Sequence, residues 1–331
     1  MNKPKKLNKG DTLAAVSPSW GVAGESFMLP KYRAAVNRIE KEFDIKIISA
    51  PNSLRGKEFL KKNPKAKADD LIWALENKKV SGIISNIGGN DSIDILPFID
   101  IKTIEANCKV FIGCSDIFNI HTLFYRAGVV SFYGGNLLTS FAGQDEIDNY
   151  YLKNIGKALF DSEPIGDVTS PDKYCISDKP DCYKNDGYET INGAGIIRGK
   201  LFICTSELIT IQNSEFSLPG EVFENAILCF EDIVECVSPS HLHDFIIGLH
   251  KLNIMQRIKA LVIAKFDEYP QNHLYKASII KALNELSMND LPVITGFDFG
   301  HTLPKIILPY GVMAEINLDR RKFNIAESAV V

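Results

Sequence analysis

The stretch KVFIGCSDIFNIHTLFYRAG, residues 109–128, places a cysteine, a serine and an aspartate in a row between an apolar run and an amphipathic segment. This pattern predicts a sharp strand-to-helix turn with Cys114, Ser115 and Asp116 at its tip. One interpretation is a helix cap, because Ser and Asp are favoured N-cap residues. The other is a nucleophile elbow, a strained turn that exposes one side chain at the top of a sheet. On this segment alone the cap is the commoner outcome.

A serine nucleophile needs a base, which is most often a histidine oriented by a third group. Among the six histidines, His301 stands out because GFDFGHTLPK places it in a turn directly after an apolar strand. His121, His243 and His250 fall within helical periods, which favours packing or surface roles. His301 is therefore the candidate base.

The third group should be a carboxylate held by a rigid element. ENAILCFEDIVE offers Glu231, Asp232 and Glu235 directly after another apolar strand, although Asp232 could instead cap a following helix. Serine, acid and histidine would each emerge at a strand end, in a chain order that triads on unrelated folds also use. The residue types thus favour acyl-transfer chemistry, with the acid open among these three positions.

Attack on a carbonyl also requires donors for the oxygen that becomes negatively charged. SNIGGNDS, residues 85–92, ends a further apolar strand with two consecutive glycines, which permit positive φ and close approach of the backbone to a ligand. A phosphate-binding loop would need a G-x-G-x-x-G or Walker lysine pattern, and neither is present. A plain tight turn is the other alternative. We expect the amides of Gly89 and Asp116 to form an oxyanion hole.

Composition limits the classes of protein. The 331 residues are 45% hydrophobic and 24% charged, as in ordinary globular proteins, and the net charge of -4 argues against a nucleic-acid partner. No apolar run suits a secretory signal or a membrane span, so we expect a cytoplasmic protein without a membrane partner. Seven cysteines without a C-x-x-C pair predict reduced, buried thiols and neither a disulfide framework nor a zinc site. No cofactor and no metal are expected.

The elements that must position these residues alternate along the first 135 residues. Short apolar runs at 12–19, 44–50, 80–89, 109–115 and 129–135 are separated by amphipathic helical periods. This alternation predicts an α/β fold whose N-terminal, mainly parallel sheet is flanked by helices, with sites beyond the carboxyl ends of the strands. A Pro-, Gly- and Asp-rich stretch then divides the chain into an N-terminal domain (1–165), a linker and surface loop (166–190) and a C-terminal domain of mixed strands and helices (191–331).

The runs IGGNDS, FIGCSD, LCFEDIVE and GFDFGH followed by LPYGVMAEI resemble, in this order and spacing, the LD-carboxypeptidase family of serine peptidases, and especially its branch of microcin C immunity proteins. The resemblance runs from GDTLAAVSPS almost to the C-terminus. It implies a Ser-Glu-His triad at Ser115, Glu231 and His301, with the oxyanion site at Gly89 and Asp116. It also implies a smaller C-terminal β/α domain of the swivelling type, and a homodimer.

Three segments depart from the family pattern. Cys114 stands where the family usually has an aromatic residue, GKLFICTSELIT replaces a segment with a Gly-Gly-Asn-Leu run, and FYGGNL stands where a Gly-Pro pair is common. The triad positions persist while their surroundings differ. We therefore expect segments 172–190 and 203–213 to line the substrate site and to set its specificity.

The resemblance implies a serine hydrolase of carboxypeptidase type that cleaves an amide bond near a free carboxylate. The substrate would be a small murein-derived L,D-peptide or a peptidyl or aminoacyl nucleotide conjugate, and IGGND favours the conjugate. Two alternatives stay open. One is an amidase with Cys114 as its nucleophile, and the other is a catalytically impaired family member that only binds a peptide or nucleotide.

Overall fold

The computed structural model describes residues 1–142, 149–176, 182–233, 236–266 and 272–331. Contacts along the chain divide it into two compact units, Met1–Glu163 with Ser328–Val331, and Pro164–Glu327. Among the described helices, none has the length and apolar character needed to cross a bilayer.

The first unit contains a parallel sheet with the strand order β2-β1-β3-β4-β5. Its strands are β1 (Thr12–Val16), β2 (Lys46–Ser49), β3 (Gly82–Ser85), β4 (Val110–Gly113) and β5 (Phe132–Tyr133). The helices are α1 (Leu29–Phe43), α2 (Lys57–Lys62), α3 (Pro64–Glu76), α4 (Ile101–Ala106), α5 (Phe118–Arg126), α6 (Leu137–Ser140) and α7 (Asn149–Ile155), with 3-10 turns at Gly21–Gly24, Ser92–Phe98 and Ser115–Ile117 and a π turn at Gly156–Phe160.

The apolar runs explain this architecture. Every residue of β3 and β4 is buried, as expected for strands covered on both faces. Helix α1 buries Tyr32, Ala35 and Ile39, which recur at helical spacing along one face. The predicted fold class, α/β with a mainly parallel sheet flanked by helices, is confirmed.

The second unit contains a mixed sheet with the order β6-β17-β16-β10-β11-β12-β13-β9 and a small sheet with the order β14-β7-β8. Its strands are β6 (Gly166–Val168), β7 (Lys173–Ile176), β8 (Cys182–Lys184), β9 (Glu189–Asn192), β10 (Ile196–Cys204), β11 (Ile227–Phe230), β12 (Ala260–Ala264), β13 (Val293–Phe297), β14 (Thr302–Leu303), β15 (Leu308–Pro309), β16 (Met313–Asn317) and β17 (Lys322–Ile325). The helices are α8 (Leu208–Gln212), α9 (Pro239–Lys251) and α10 (Asn272–Glu285), with a 3-10 turn at Gly220–Phe223.

Strands β10, β11, β12 and β13 are parallel and form the middle of this sheet. Their residues are largely buried, so their carboxyl ends are fixed by the core of the unit. Strands β11 and β13 are separated only by β12. The segments that follow β11 and β13 therefore leave the sheet at the same edge.

Residues 166–190, expected to be a linker and surface loop, include the short strands β6, β7 and β8. Strands β7 and β8 pair with Cys175 opposite Cys182, and the two sulfur atoms form a disulfide. The prediction of reduced thiols is wrong for this pair, because strand pairing brings together two cysteines whose surrounding sequence carries no clear hairpin signal. Thiols outside any disulfide are buried, as expected, at Cys114, Cys204 and Cys229, whereas Cys236 is exposed.

Candidate active site

Ser115 lies directly after Cys114 at the end of β4 and begins the 3-10 turn that leads into α5. Its φ is +65°, in the left-handed region that non-glycine residues rarely adopt. The Ser115 amide donates a hydrogen bond of 2.8 Å to the hydroxyl of Tyr133 in β5, which holds the turn against the neighbouring strand. A strand, a strained residue and a helical turn in succession are the local features of an elbow.

Cys114 has a different environment from Ser115. It is 3% exposed, and Nδ2 of Asn136 lies 3.2 Å from its Sγ. Asn136 also accepts the Cys114 amide at 3.1 Å through Oδ1, which accepts the hydroxyl of Ser85 as well. The asparagine of the FYGGNL run thus fixes the residue before Ser115, a role that the sequence did not indicate.

The glycine pair Gly88–Gly89 lies beside the elbow. A Cβ atom at Gly88 would be 2.8 Å from Cβ and 3.1 Å from Oγ of Ser115, so only glycine permits this approach. Gly89 has a φ of +152°, and a Cβ atom there would clash with Oγ of Ser19. Among the described residues, the amides of Gly89 and Asp116 donate to no group. These are the two amides that the sequence predicts to form the oxyanion hole.

The Asp116 side chain has a structural role. Its carboxylate is buried and accepts the amides of Asp91 and Ser92 at 3.0 and 2.9 Å, Nδ2 of Asn119 at 3.1 Å, and the hydroxyl of Ser19. The two amides belong to the start of the 3-10 turn that follows the glycine pair, where a negative charge is stabilising. Asp116 thus joins the elbow to the glycine loop.

Glu231 and His301 form a hydrogen-bonded pair in the second unit. Nδ1 of His301 lies 2.6 Å from Oε2 of Glu231, and the side chains are 24% and 1% exposed, respectively. Glu231 follows β11, and its amide donates to the carbonyl of Cys204 at 3.1 Å. Gly300 has a φ of +86°, and a Cβ atom there would lie 2.5 Å from Oε2 of Glu231. The glycine before the histidine is thus required for the pair to form.

The environment of His301 sets its protonation. Burial lowers the pKa of His301, but the charge and the hydrogen bond of Glu231 raise it, and the net result is a pKa above the ordinary value. The charge of Lys305 lowers this pKa, and that of Asp232 raises it. With Nδ1–H donated to the carboxylate, Nε2 carries the lone pair of the neutral ring and can accept a proton.

Asp232 is the other described carboxylate of the EDIVE run. It accepts the amide and the hydroxyl of Ser206 at 3.0 and 2.5 Å, and burial raises its pKa. Of these two acids, Glu231 is the one that contacts His301. Glu235, the third acid considered from the sequence, lies outside the described residues.

Two segments that the sequence predicts to line the substrate site adjoin this pair. Strand β7, within 172–190, pairs with β14 directly after His301, with Thr302 opposite Ile176. Ser206, within 203–213, binds Asp232, the neighbour of Glu231. The part of the chain that the structure describes contains no cluster of three or more His, Cys, Asp or Glu placed to hold a metal ion.

Two parts of the chain match the LD-carboxypeptidase family. Residues 13–134 match its N-terminal domain, and residues 202–316 match its C-terminal domain. The matches together cover most of the chain, which therefore belongs to this family, as the sequence motifs predicted.

Among individual proteins, the chain is similar to the microcin C7 self-immunity protein MccF of Escherichia coli, with 27% identity over 277 residues, 80% of this chain and 78% of MccF. A structure of MccF in complex with aspartyl sulfamoyl adenosine matches with a TM-score of 0.86 at 24% identity and covers 100% of both chains. A structure of an MccF-like protein from Streptococcus pneumoniae in complex with AMP gives 0.85 at 24% identity, covering 95% of this chain and 98% of that one. These structural matches support the α/β fold.

Proposed function

We propose that the chain is a serine hydrolase of carboxypeptidase type that cleaves an amide bond near a free carboxylate. The observation that carries the proposal is the buried carboxylate of Glu231, 2.6 Å from Nδ1 of His301. A carboxylate in this position orients the imidazole and stabilises its protonated form, as the third member of a triad does. The family membership and the strained turn at Ser115 support the assignment of Ser115 as nucleophile.

In this mechanism, Oγ of Ser115 attacks the carbonyl carbon while Nε2 of His301 takes the hydroxyl proton. The carbonyl oxygen becomes an oxyanion, to which the amides of Gly89 and Asp116 donate. The C–N bond then breaks, and His301 gives its proton to the leaving nitrogen. Water, deprotonated by His301, hydrolyses the acyl-enzyme and restores the serine.

The substrate class that we favour is a peptidyl or aminoacyl nucleotide conjugate. We further propose that the chain acts in the cytoplasm as a homodimer. Support for this substrate class comes from the similar proteins, since one structure shows MccF in complex with aspartyl sulfamoyl adenosine and another shows an MccF-like protein in complex with AMP. A murein-derived L,D-peptide is the second candidate, which the family membership favours.

The test is mass spectrometry of products from a mixed panel of murein tetrapeptides and aminoacyl sulfamoyl adenosines. We expect cleavage of one class, and a loss on the order of 10³-fold or more in Ser115→Ala. Cys114→Ala is the matched control and should keep most of the activity, because that side chain contacts Asn136. Binding without turnover would instead identify a catalytically impaired member. An inactive Cys114→Ala beside an active Ser115→Ala would identify the cysteine as nucleophile.

A further inference from the structure

Lys305 lies in the same short loop as His301. The loop leaves the sheet after β13, and its ends are joined by a hydrogen bond of 2.9 Å from the Ile306 amide to the Asp298 carbonyl. Within this loop, Lys305 is only 3% exposed. Lys305 is four positions from His301 in this loop, and its positive charge lowers the pKa of that imidazole.

Lys305 differs from the other buried lysines of the described chain in having no partner. Lys67 forms an ion pair of 2.7 Å with Asp91, and Lys265 forms one of 2.5 Å with Asp298. For Lys305, the described residues provide neither a hydrogen bond nor an ion pair within 4.0 Å. Lysines with so little exposed surface are usually paired with an acid.

The nearby carboxylates have other partners. Glu231 bonds to His301, Asp232 bonds to Ser206, and Asp298 bonds to Lys265. The loop thus combines the proposed base with a lysine to which the described residues supply no anionic partner. An anion supplied by a ligand would provide the missing partner, and the ammonium group could donate up to three hydrogen bonds to it.

We propose that Lys305 determines substrate specificity by binding the anionic group of the substrate beside the scissile amide. This inference rests on the proposed function, because it places the anion next to the base that would act on that amide. The ligand chemistry is an anionic oxygen group. It can come from the carboxylate of a peptide C-terminus or from the phosphoryl group of a nucleotide conjugate.

The test measures binding of two matched pairs of probes by calorimetry. The first pair is a murein tetrapeptide ending in D-alanine as the free acid and as the C-terminal amide, and the second is AMP and adenosine. Binding is measured for the wild type, Lys305→Met, Lys305→Arg and Lys200→Met. Lys200 is an exposed lysine of β10, so its replacement removes the same charge from the surface.

We expect the wild type to prefer the anionic member of at least one pair. Lys305→Met should reduce that preference about tenfold or more, the effect of losing one charge-assisted hydrogen bond. Lys305→Arg should keep most of the preference, and Lys200→Met should leave it unchanged. The pair of probes for which Lys305→Met loses the preference identifies the source of the anion, a peptide carboxylate or a phosphoryl group. No preference in the wild type, or the same preference in Lys305→Met, would overturn the proposal.

Folding and function are checked separately. Lys305→Met should have an unchanged or raised melting temperature, because it replaces a largely buried lysine, for which the described residues provide no ion pair, with an apolar side chain of similar length. If it fails to fold, Lys305→Gln is measured in its place. Binding needs no turnover, so the two proposals can fail separately. If Ser115→Ala keeps full activity while the binding preferences are as expected, the proposed mechanism is contradicted and the role of Lys305 stands. If Ser115→Ala loses turnover while Lys305→Met keeps the binding preferences of the wild type, the role of Lys305 is contradicted and the proposed mechanism stands.

Discussion

Asp116 in the first unit and Glu231 in the second are both buried carboxylates that follow a parallel strand, yet they have different partners. Asp116 accepts the backbone amides of Asp91 and Ser92, which keep the same charge at all ordinary pH values. Glu231 binds the imidazole of His301, which gains and loses a proton. A buried carboxylate beside an imidazole can stabilise the protonated ring, whereas the same group beside backbone amides serves to join segments.

Each of these acids has a glycine close by. Gly88 approaches Ser115, the neighbour of Asp116, and Gly300 approaches Glu231 itself. In both places a Cβ atom would be less than 3.0 Å from a side chain. The two glycines therefore permit different contacts. Gly88 allows the glycine loop to pass beside Ser115, and Gly300 allows the Glu231 carboxylate to reach the imidazole of His301.

The comparison of the two acids predicts opposite effects of removing each charge. Glu231→Gln should lower kcat/KM on the order of 10³-fold or more, because an amide cannot stabilise the imidazolium that forms at His301. Its melting temperature should change less than that of Asp116→Asn, which should lower the free energy of unfolding by about 1–3 kcal/mol, because a single oxygen would remain to accept the two backbone amides and Nδ2 of Asn119. Steady-state rates and thermal melts of both variants are the measurements. If Glu231→Gln is destabilised but keeps its activity, Glu231 has a structural role like that of Asp116, and the proposed difference between the two acids is contradicted.

A smaller effect is expected at the glycines. Gly300→Ala should separate Glu231 from His301 and lower kcat/KM by about 10- to 100-fold, the effect of losing a group that positions the base. Gly195→Ala is the matched control, since Gly195 has a φ of +79° but no atom within 4 Å of an added Cβ. Both variants should lose about 1 kcal/mol of stability from backbone strain, and only Gly300→Ala should lose activity. Equal rates in the two variants would mean that the pair tolerates the methyl group.

The parallel sheet of the first unit could be predicted because its signals are local. Continuous apolar runs such as GIIS and VFIG alternate with amphipathic periods, and each run forms a strand of the sheet. The contact between Glu231 and His301 joins residues 70 positions apart, and the choice of Glu231 among the nearby acids came from family motifs. The catalytic roles of Ser115, Glu231, His301, Gly89 and Asp116 remain predictions.

Features that depend on distant partners could not be predicted. The strand pairing that joins Cys175 to Cys182 lies in a polar stretch whose composition is typical of a loop. Asn136 contacts Cys114 from 22 positions away, and nothing in GGN indicates that contact. The burial of Lys305 could not be predicted either, because a lysine in a turn is ordinarily exposed.

The smallest effect expected is a shift in pH dependence, which compares one histidine from each unit. His121 lies between the hydroxyl of Ser131 and the carbonyl of Gly113, and burial lowers its pKa to about 3. His301 has a carboxylate as partner, and its pKa lies above the ordinary value.

Because the base must be neutral, the acidic limb of kcat/KM should lie at a higher pH than that of an unperturbed histidine. Lys305→Met should move the limb to still higher pH, since it removes a positive charge that lowers the pKa of His301, while the charges of Glu231 and Asp232 that raise it remain. Imidazole resonances followed by NMR between about pH 5 and pH 9 should show His301 titrating and His121 constant. A limb that moves to lower pH in Lys305→Met, or one that follows the titration of another histidine, would contradict the assignment of His301 as the base.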